Sequence, residues 1–572
     1  MKNQDDQPQI PANARKSQTN VISAFIRVHP RLILCSFVLA TTAFSADAPL
    51  FPRPNWFVQH FGSLRSRVEL QPPAHISDHI IDGKIELSLR AFIELALDNN
   101  TDIALAKLQV LTPANAISRA IGAFDPSLQA SFSRSQSTQP TTSALSGAAT
   151  LKNLSQPVDF TYQQVLPSGT SLTTSFDAQR TSSNSAFSTY NPAIGSQLTI
   201  AFDHPLLRNR GASLTRLTIL IARSNLRQSR YQMRDQVGQL LAAAENAYWD
   251  VIEARENLVL QNKFLELRQA ALVRAQKQVE AGALLLLDLF QPKSEYASAQ
   301  VATIQAKQAL AHRENALRQQ IGADLDPQTR SLPLVLTEPI AVAPVPPPDR
   351  ETSVQKALQY RNDRLALTTS LSGDDLAIRG NIEALRPSLS LTGSYVSQGV
   401  GGIYNQLSNP FGNGTVVTQI PGGLGDALSQ MFGFGFPIYT VGVRLNLPLR
   451  DRAAAANLSD SEIRKHADAL QLRKLEQTLR LQVLNALDDV EAVQASMQQS
   501  EIAREFAEKR FAAEQKKYEL GVTQLFFVLD AQTQLNAAEN DVLRQSINYR
   551  RTLINLHLMI GDLLEQRGVT LD

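Results

Sequence analysis

Residues 237–282 read VGQLLAAAENAYWDVIEARENLVLQNKFLELRQAALVRAQKQVEAG. Ala244, Val251, Leu258, Leu265, Leu272 and Val279 recur every seven residues, and Leu240, Ala247, Ala254 and Ala275 each fall three residues after a step of the same ladder. These are the a and d positions of a coiled coil, with Gln261 and Arg268 interrupting the d row. The pattern predicts one helix from about Ser213 to Ala281, roughly 100 Å long at about 1.5 Å per residue. That is too long for a globular core to cover, so the helix must project. Gly282 permits the reversal that ends it, and the segment from about Leu287 to Gln320 returns antiparallel.

The same plan is written twice. Ala96-Leu97, Asp102 and Pro126-Ser127-Leu128 recur as Ala357-Leu358, Asp363 and Pro387-Ser388-Leu389, all displaced by 261 positions. Asn246-Ala247, Asp250-Val251, Glu280, Gly282 and Ile321-Gly322 recur as Asn485-Ala486, Asp489-Val490, Glu519, Gly521 and Ile560-Gly561, displaced by 239. The chain is therefore two copies of one unit, differing in loop length between the two blocks. The copies, 86–331 and 350–565, are joined by a linker at 332–349 holding six prolines, which no helix can cross. An extended arm precedes them at 47–85 and a short tail ends the chain at 566–572.

Ahead of each predicted long helix the period changes from seven to two. Leu128, Ala130 and Phe132 alternate with polar residues, as do Leu198, Ile200 and Phe202, Leu389, Leu391, Gly393 and Tyr395, and Val441, Val443, Leu445 and Leu447. Strands of roughly 10 residues with one apolar and one polar face suit a tilted membrane-spanning wall, lipid outside and water inside. So few strands cannot close a barrel alone, which implies that several chains contribute to one. A further hairpin is expected about Pro167-Ser168-Gly169, either as two more strands or as an extracellular flap. The Gly-rich span 398–436 reads as a long outer loop.

Arg27, His29 and Arg31 precede an apolar run from Leu32 to Ala43, and Ala46-Asp47-Ala48 comes next in small-x-small form. This is the pattern of an export signal over 1–46, with a possible true start near Val21. The run is about 12 residues, short of the ~20 a spanning helix needs. The single cysteine, Cys35, lies within it, so the remainder carries no disulfide and no cysteine metal site. A net charge of +2, from 55 basic and 53 acidic residues, gives no drive toward nucleic acid. The eight histidines have no metal-ligand spacing, and there is neither a nucleophile elbow nor a phosphate-binding glycine loop. Neither an enzyme nor a cofactor is expected.

Leu87-Ser88-Leu89 with Ala91 through Asn100, Ala247-Tyr248-Trp249-Asp250-Val251, His204-Pro205-Leu206-Leu207-Arg208, and Tyr518-Glu519-Leu520-Gly521-Val522-Thr523 with Val528-Leu529-Asp530-Ala531-Gln532 are similar to stretches of the TolC-like outer-membrane efflux proteins. The resemblance implies a transmembrane β-barrel joined to a long α-helical coiled-coil barrel, built by a homotrimer of internally duplicated protomers. It places the chain in the outer membrane, in contact with its lipid and reaching into the periplasm. A periplasmic adaptor protein would dock at the helix tips and link the channel indirectly to an inner-membrane pump, the chain itself serving as a passive conduit for efflux or type I secretion. The resemblance further implies a periplasmic gate at the tips. Asp288 matches the family's acidic tip residue in the first copy, Asp530 one in the second, and Tyr518 a tyrosine of the closing contacts. Thr523 stands where the family carries an arginine and Phe527 where it carries an aspartate. Phe527 therefore reads either as an apolar plug or as a core aromatic. The remaining alternatives are a periplasmic adaptor, which would have one hairpin, and an exported coiled-coil structural protein, which would leave the strands unexplained.

Overall fold

Two periodicities in one chain give two kinds of structure joined end to end. The computed structural model describes residues 70, 72–141, 148–282, 284–340, 345–408 and 416–571. The export signal at 1–46, with Cys35 and Val21, and most of the arm lie outside these residues. The chain divides into units 1–72 and 73–572, and every helix and strand among the described residues belongs to the second.

Its first strands form a short hairpin, β1 (Ile80–Ile81) and β2 (Lys84–Leu87), inside the span expected to be aperiodic arm. Three helices come next: α1 (Leu89–Asn99), α2 (Thr101–Gln109) and α3 (Leu111–Ile121). Ser88 caps α1 by accepting from Ala91 N, and Asn100 caps α2 by accepting from Asp102 N and Ile103 N. The chain then enters strands β3 (Ser127–Phe132), β4 (Ser135–Pro140), β5 (Thr150–Val165), β6 (Ser171–Ser183) and β7 (Tyr190–Pro205). Helix α4 (Leu217–Glu280) runs for 64 residues and α5 (Phe290–Gln320) returns beside it. Within the proline-rich linker, β8 (Leu334–Leu336) pairs parallel to β2.

The second half contains α6 (Arg350–Tyr360), α7 (Asn362–Ala384), β9 (Ser388–Leu407), β10 (Val416–Ile420), α8 (Leu424–Phe432), β11 (Phe436–Asn446), α9 (Arg452–Glu519) and α10 (Leu525–Ile560). Helix α9 spans 68 residues, matching α4, and α10 packs along it as α5 packs along α4.

All the long strands form one antiparallel sheet, in the order β3/β4, β5, β6, β7, β9, β11, with β10 on the upper part of β9. Residues paired in register share a face. One row across the sheet is Leu128, Tyr162, Thr174, Ile200, Tyr395 and Tyr439; the next row, on the opposite face, is Gln129, Thr161, Ser175, Thr199, Val396 and Ile438. Except where α8 sits on it over Ser397, Gly399 and Gly401 of β9, the apolar face meets no core: Leu128 is 73% exposed, Tyr439 74% and Val441 80%. Exposing such a face to water costs about 25 cal/mol per Å², and a contiguous patch of this kind marks an interaction surface.

The glycine-rich span read as an outer loop is largely ordered structure. Gln398 to Leu407 continues β9, and α8 lies across β9. A Cβ on Gly399 would stand 1.9 Å from Ala427 O, and one on Gly401 2.2 Å from Gly423 O. These glycines let a helix backbone rest directly on the strand; their abundance imitates a loop.

The main core lies where helices meet strands β1, β2 and β8. Ile85, Leu87, Phe92, Leu95, Tyr248, Trp249 and Leu317 are buried together there. Below it, toward the hairpin ends, Leu258, Leu265, Leu272 and Val279 are only half-buried, so one chain leaves the lower part of its own seam open.

Candidate functional site

Both long hairpins turn on a glycine in the left-handed region, Gly282 at φ 71° and Gly521 at φ 75°. Beyond the chain neighbours no atom lies within 4 Å of a Cβ at either position, so backbone conformation and not space requires glycine there. At the second turn Val522 N donates to Lys517 O at 2.9 Å and Gly521 N to Tyr518 O at 3.0 Å. Carbonyls that the end of α9 would leave unpaired are thereby satisfied.

The tips are apolar and open. Leu285, Leu286 and Leu287 are 67–73% exposed, and Phe290, Val522 and Phe526 are exposed as well. Phe527 is 47% exposed and stacks edge-on against Phe526 at 5.4 Å between ring centroids. In this chain it is therefore not a core aromatic. Thr523 is half-buried in the turn.

Of the charged positions expected at the gate, Asp530 accepts from Arg510 Nη2 at 3.2 Å and Gln534 Nε2 at 3.0 Å, a cluster within the second hairpin. Asp288 sits exposed in a 3-10 turn between α4 and α5; its N–H donates to Leu285 O at 3.1 Å, and its carboxylate has no hydrogen-bond or ion-pair partner among the described residues. Tyr518 bridges the two hairpins: its Oη donates to Gln278 Oε1 at 2.8 Å.

A second bridge escapes a reading of the sequence. Arg268, which interrupts the d row, is 6% exposed between three helices. Its Nη2 donates to Thr533 Oγ1 at 2.7 Å and Leu529 O at 3.3 Å on α10, and lies 3.5 Å from Glu295 on α5. Burial lowers its pKa, and Glu295 opposes that shift. In the sequence it is one basic residue among many on a helix, and only its place in the d row marks it as inward-facing.

Away from the tips, Ala247-Tyr248-Trp249-Asp250-Val251 has a structural role. Tyr248 Oη donates to Leu87 O at 3.0 Å, and burial pushes its pKa up to about 12. The Arg550 guanidinium lies 4.6 Å from the Trp249 ring centre. Asp250 pairs with Arg313 at 2.8 Å and also with Arg551, tying α5 and α10 to α4. Glu245 is fully buried and receives two 2.8 Å bonds from Arg567. Among the described residues no cluster of His, Cys, Asp or Glu could hold a metal ion.

Residues 377–562 match the family model for outer membrane efflux proteins. No curated protein sequence matches. Among solved structures the chain is similar to CusC, with 17% identity, a TM-score of 0.60, and coverage of 86% of this chain and 99% of that one. It is likewise similar to the CmeC outer membrane channel of Campylobacter jejuni, at 15% identity and TM-score 0.60, covering 91% and 98%. The outer membrane protein VceC of Vibrio cholerae matches at 15% identity and TM-score 0.57, covering 83% and 96%. At these identities the likeness is one of fold.

Proposed function

We propose that this chain, whose residues 377–562 match the family model for outer membrane efflux proteins, is a member of that family and one protomer of a trimeric tunnel carrying solutes from the periplasm across the outer membrane. The observation that carries this reading is the sheet: six strands with an apolar face left bare below α8 and a largely polar opposite face, continuous with helices of 64 and 68 residues. Lipid is the medium that makes the apolar face favourable, and water within a pore suits the other.

Among the described residues β3 and β4 pair only with β5, and β11 only with β9, leaving two open edges. Unpaired edges cannot face lipid, and copies arranged head to tail around a three-fold axis join them. Helices of this length reach about 100 Å at 1.5 Å per residue, enough to cross a periplasmic gap. The half-buried lower seams and exposed Val301, Ile304, Ile502 and Phe506 find partners between chains.

The chemistry is passive conduction. Tyr518 to Gln278 and Arg268 to the start of α10 hold the two hairpins together in a closed tip, with Phe526 and Phe527 as an apolar closure where the family carries charge. Asp288 and Asp530, repeated three times, would form acidic rings that favour cations at the entrance. A periplasmic adaptor meets the exposed apolar tips and opens them, and an inner-membrane pump supplies the energy. A periplasmic adaptor as the identity of this chain fits less well, because its strands would belong to compact domains and not to one bare-faced sheet.

Reconstitution in a planar lipid bilayer tests the proposal: discrete conductance steps that rise in Tyr518→Phe are the expected result. A purified protein that inserts into no bilayer and conducts no ion would refute it.

A further inference from the structure

Between α7 and α9 the second half sends one strand up, β9, and one down, β11. Between α3 and α4 the first half sends four: β3/β4, β5, β6 and β7. We infer that the β6–β7 hairpin is built into the membrane wall, so that each chain supplies six strands and three chains close a ring of eighteen, with a bore suited to bulky cargo. If both halves followed the second half's plan, the ring would have twelve strands. The inference rests on the proposal that three copies share one barrel.

Pairing leaves the hairpin no freedom to be a flap. Strand β6 pairs with β5 from Val165↔Ser171 to Asn153↔Ser183, and β7 pairs with β9 from Pro205↔Ser390 to Tyr190↔Tyr404. Among the described residues, strands β5 and β9 are joined only through β6 and β7. An even number of inserted strands keeps β5 and β9 antiparallel, so the insertion changes the circumference without reversing any helix connection.

Both faces also continue through it. Phe176 and Leu198 lie in the apolar row of Phe160, while Ser175 and Thr199 lie in the polar row of Gln129. Phe202 of β7 covers Gly393 of β9, where a Cβ would meet the ring at 2.4 Å.

The β5–β6 turn sits at the helical end of the sheet. Leu166 N donates to Thr170 O at 2.8 Å, and Thr170 Oγ1 lies 2.8 Å from His204 Nδ1. A Cβ on Gly169 would come within 3.1 Å of Pro205 and Thr215. A flap would turn at the opposite end, in the external medium. With strands about 4.8 Å apart and tilted about 40°, a ring of twelve has a backbone radius of about 12 Å and a ring of eighteen about 18 Å.

The test uses the full-length protein in outer membranes with Cys35→Ser as background. Single substitutions Phe176→Cys and Leu198→Cys, and Ser175→Cys and Thr199→Cys, are treated with a water-soluble and a lipid-soluble maleimide. The expected pattern is alternation: the first pair labelled only from lipid, the second pair from water. Water-soluble labelling of all four, in a protein still trimeric on an unheated gel, would overturn the hairpin's place in the wall and leave the tunnel intact. Loss of the trimer in the Cys35→Ser background itself would mark failure of the underlying proposal instead. A second measurement does not depend on labelling: Phe160→Cys with Tyr395→Cys is expected to give no disulfide, because two strands and about 14 Å separate β5 from β9. A disulfide within one chain would place those strands side by side and refute the inference.

Discussion

Arg268→Met keeps the side-chain stem and removes the guanidinium that joins the hairpins about 20 Å above the tip, at 1.5 Å per residue. The substitution loses donors to Thr533 Oγ1 at 2.7 Å and Leu529 O at 3.3 Å and the ion pair with Glu295 at 3.5 Å. Hydrogen bonds from a charged group contribute about 1.5–3 kcal/mol. Two features reduce the net loss. The guanidinium is desolvated, with Nη1 buried and unpaired, and its absence orphans little, because Thr533 Oγ1 still donates to Leu529 O at 2.9 Å and Glu295 is 37% exposed. The net is about 1–2 kcal/mol per chain, or a shift of roughly 5- to 30-fold in the closed–open balance. Single-channel recording reads this as open probability, with Arg313→Met as control because Asp250 keeps Arg551. An unchanged open probability, whatever happens to melting temperature, would show that Arg268 only packs the helices.

Tyr518→Phe removes the 2.8 Å bond to Gln278 and should raise leak through the reconstituted channel about fivefold, for a bond of about 1 kcal/mol; wild-type leak would remove Tyr518 from the closure. Phe527→Ser should increase leak without changing the trimer on a gel, if the exposed aromatic pair rather than charge seals the tip. The Asp374 carboxyl is held above its usual range, first by burial and then by neighbouring Asp468. An acid with a raised folded pKa costs stability as pH rises through the ordinary carboxylate range, and the cost is complete above the raised value. Asp374→Asn should therefore raise the apparent melting temperature at neutral pH, with the gain fading toward about pH 3; an equal gain at both pH values would contradict this. Gly399→Leu should dislodge α8, since Ala427 O leaves no room for a side chain, and open residues 424–435 to protease added to intact cells.

The seven-residue ladder fixed the long helices to within a few residues, because a projecting coiled coil has little tertiary structure to override its local pattern. Strand alternation was equally readable in β3, β7, β9 and β11. Alternation does not state partners, however, and the place of Pro167-Ser168-Gly169 needed the register of β6 against β5 to emerge. Composition misled at 398–436, where glycine signalled a loop although the residues serve close packing of α8 on β9. At the tips, the turn glycines were legible through their spacing. Arg268 was not, because a buried arginine on a heptad differs from an exposed one only by what lies opposite, and Thr533 and Glu295 come from distant parts of the chain. Phe527 shows the converse: an aromatic beside a turn suggests a core, yet one chain leaves it exposed.

This chain is proposed to span the outer membrane as part of a trimer. Separation of inner and outer membranes, then electrophoresis of the detergent-solubilised protein with and without heating, tests it most directly. The expected result is outer-membrane material that migrates as a trimer unheated and collapses to a 62.8 kDa chain on heating, less any export signal removed. A soluble periplasmic monomer that migrates identically in both lanes would contradict it.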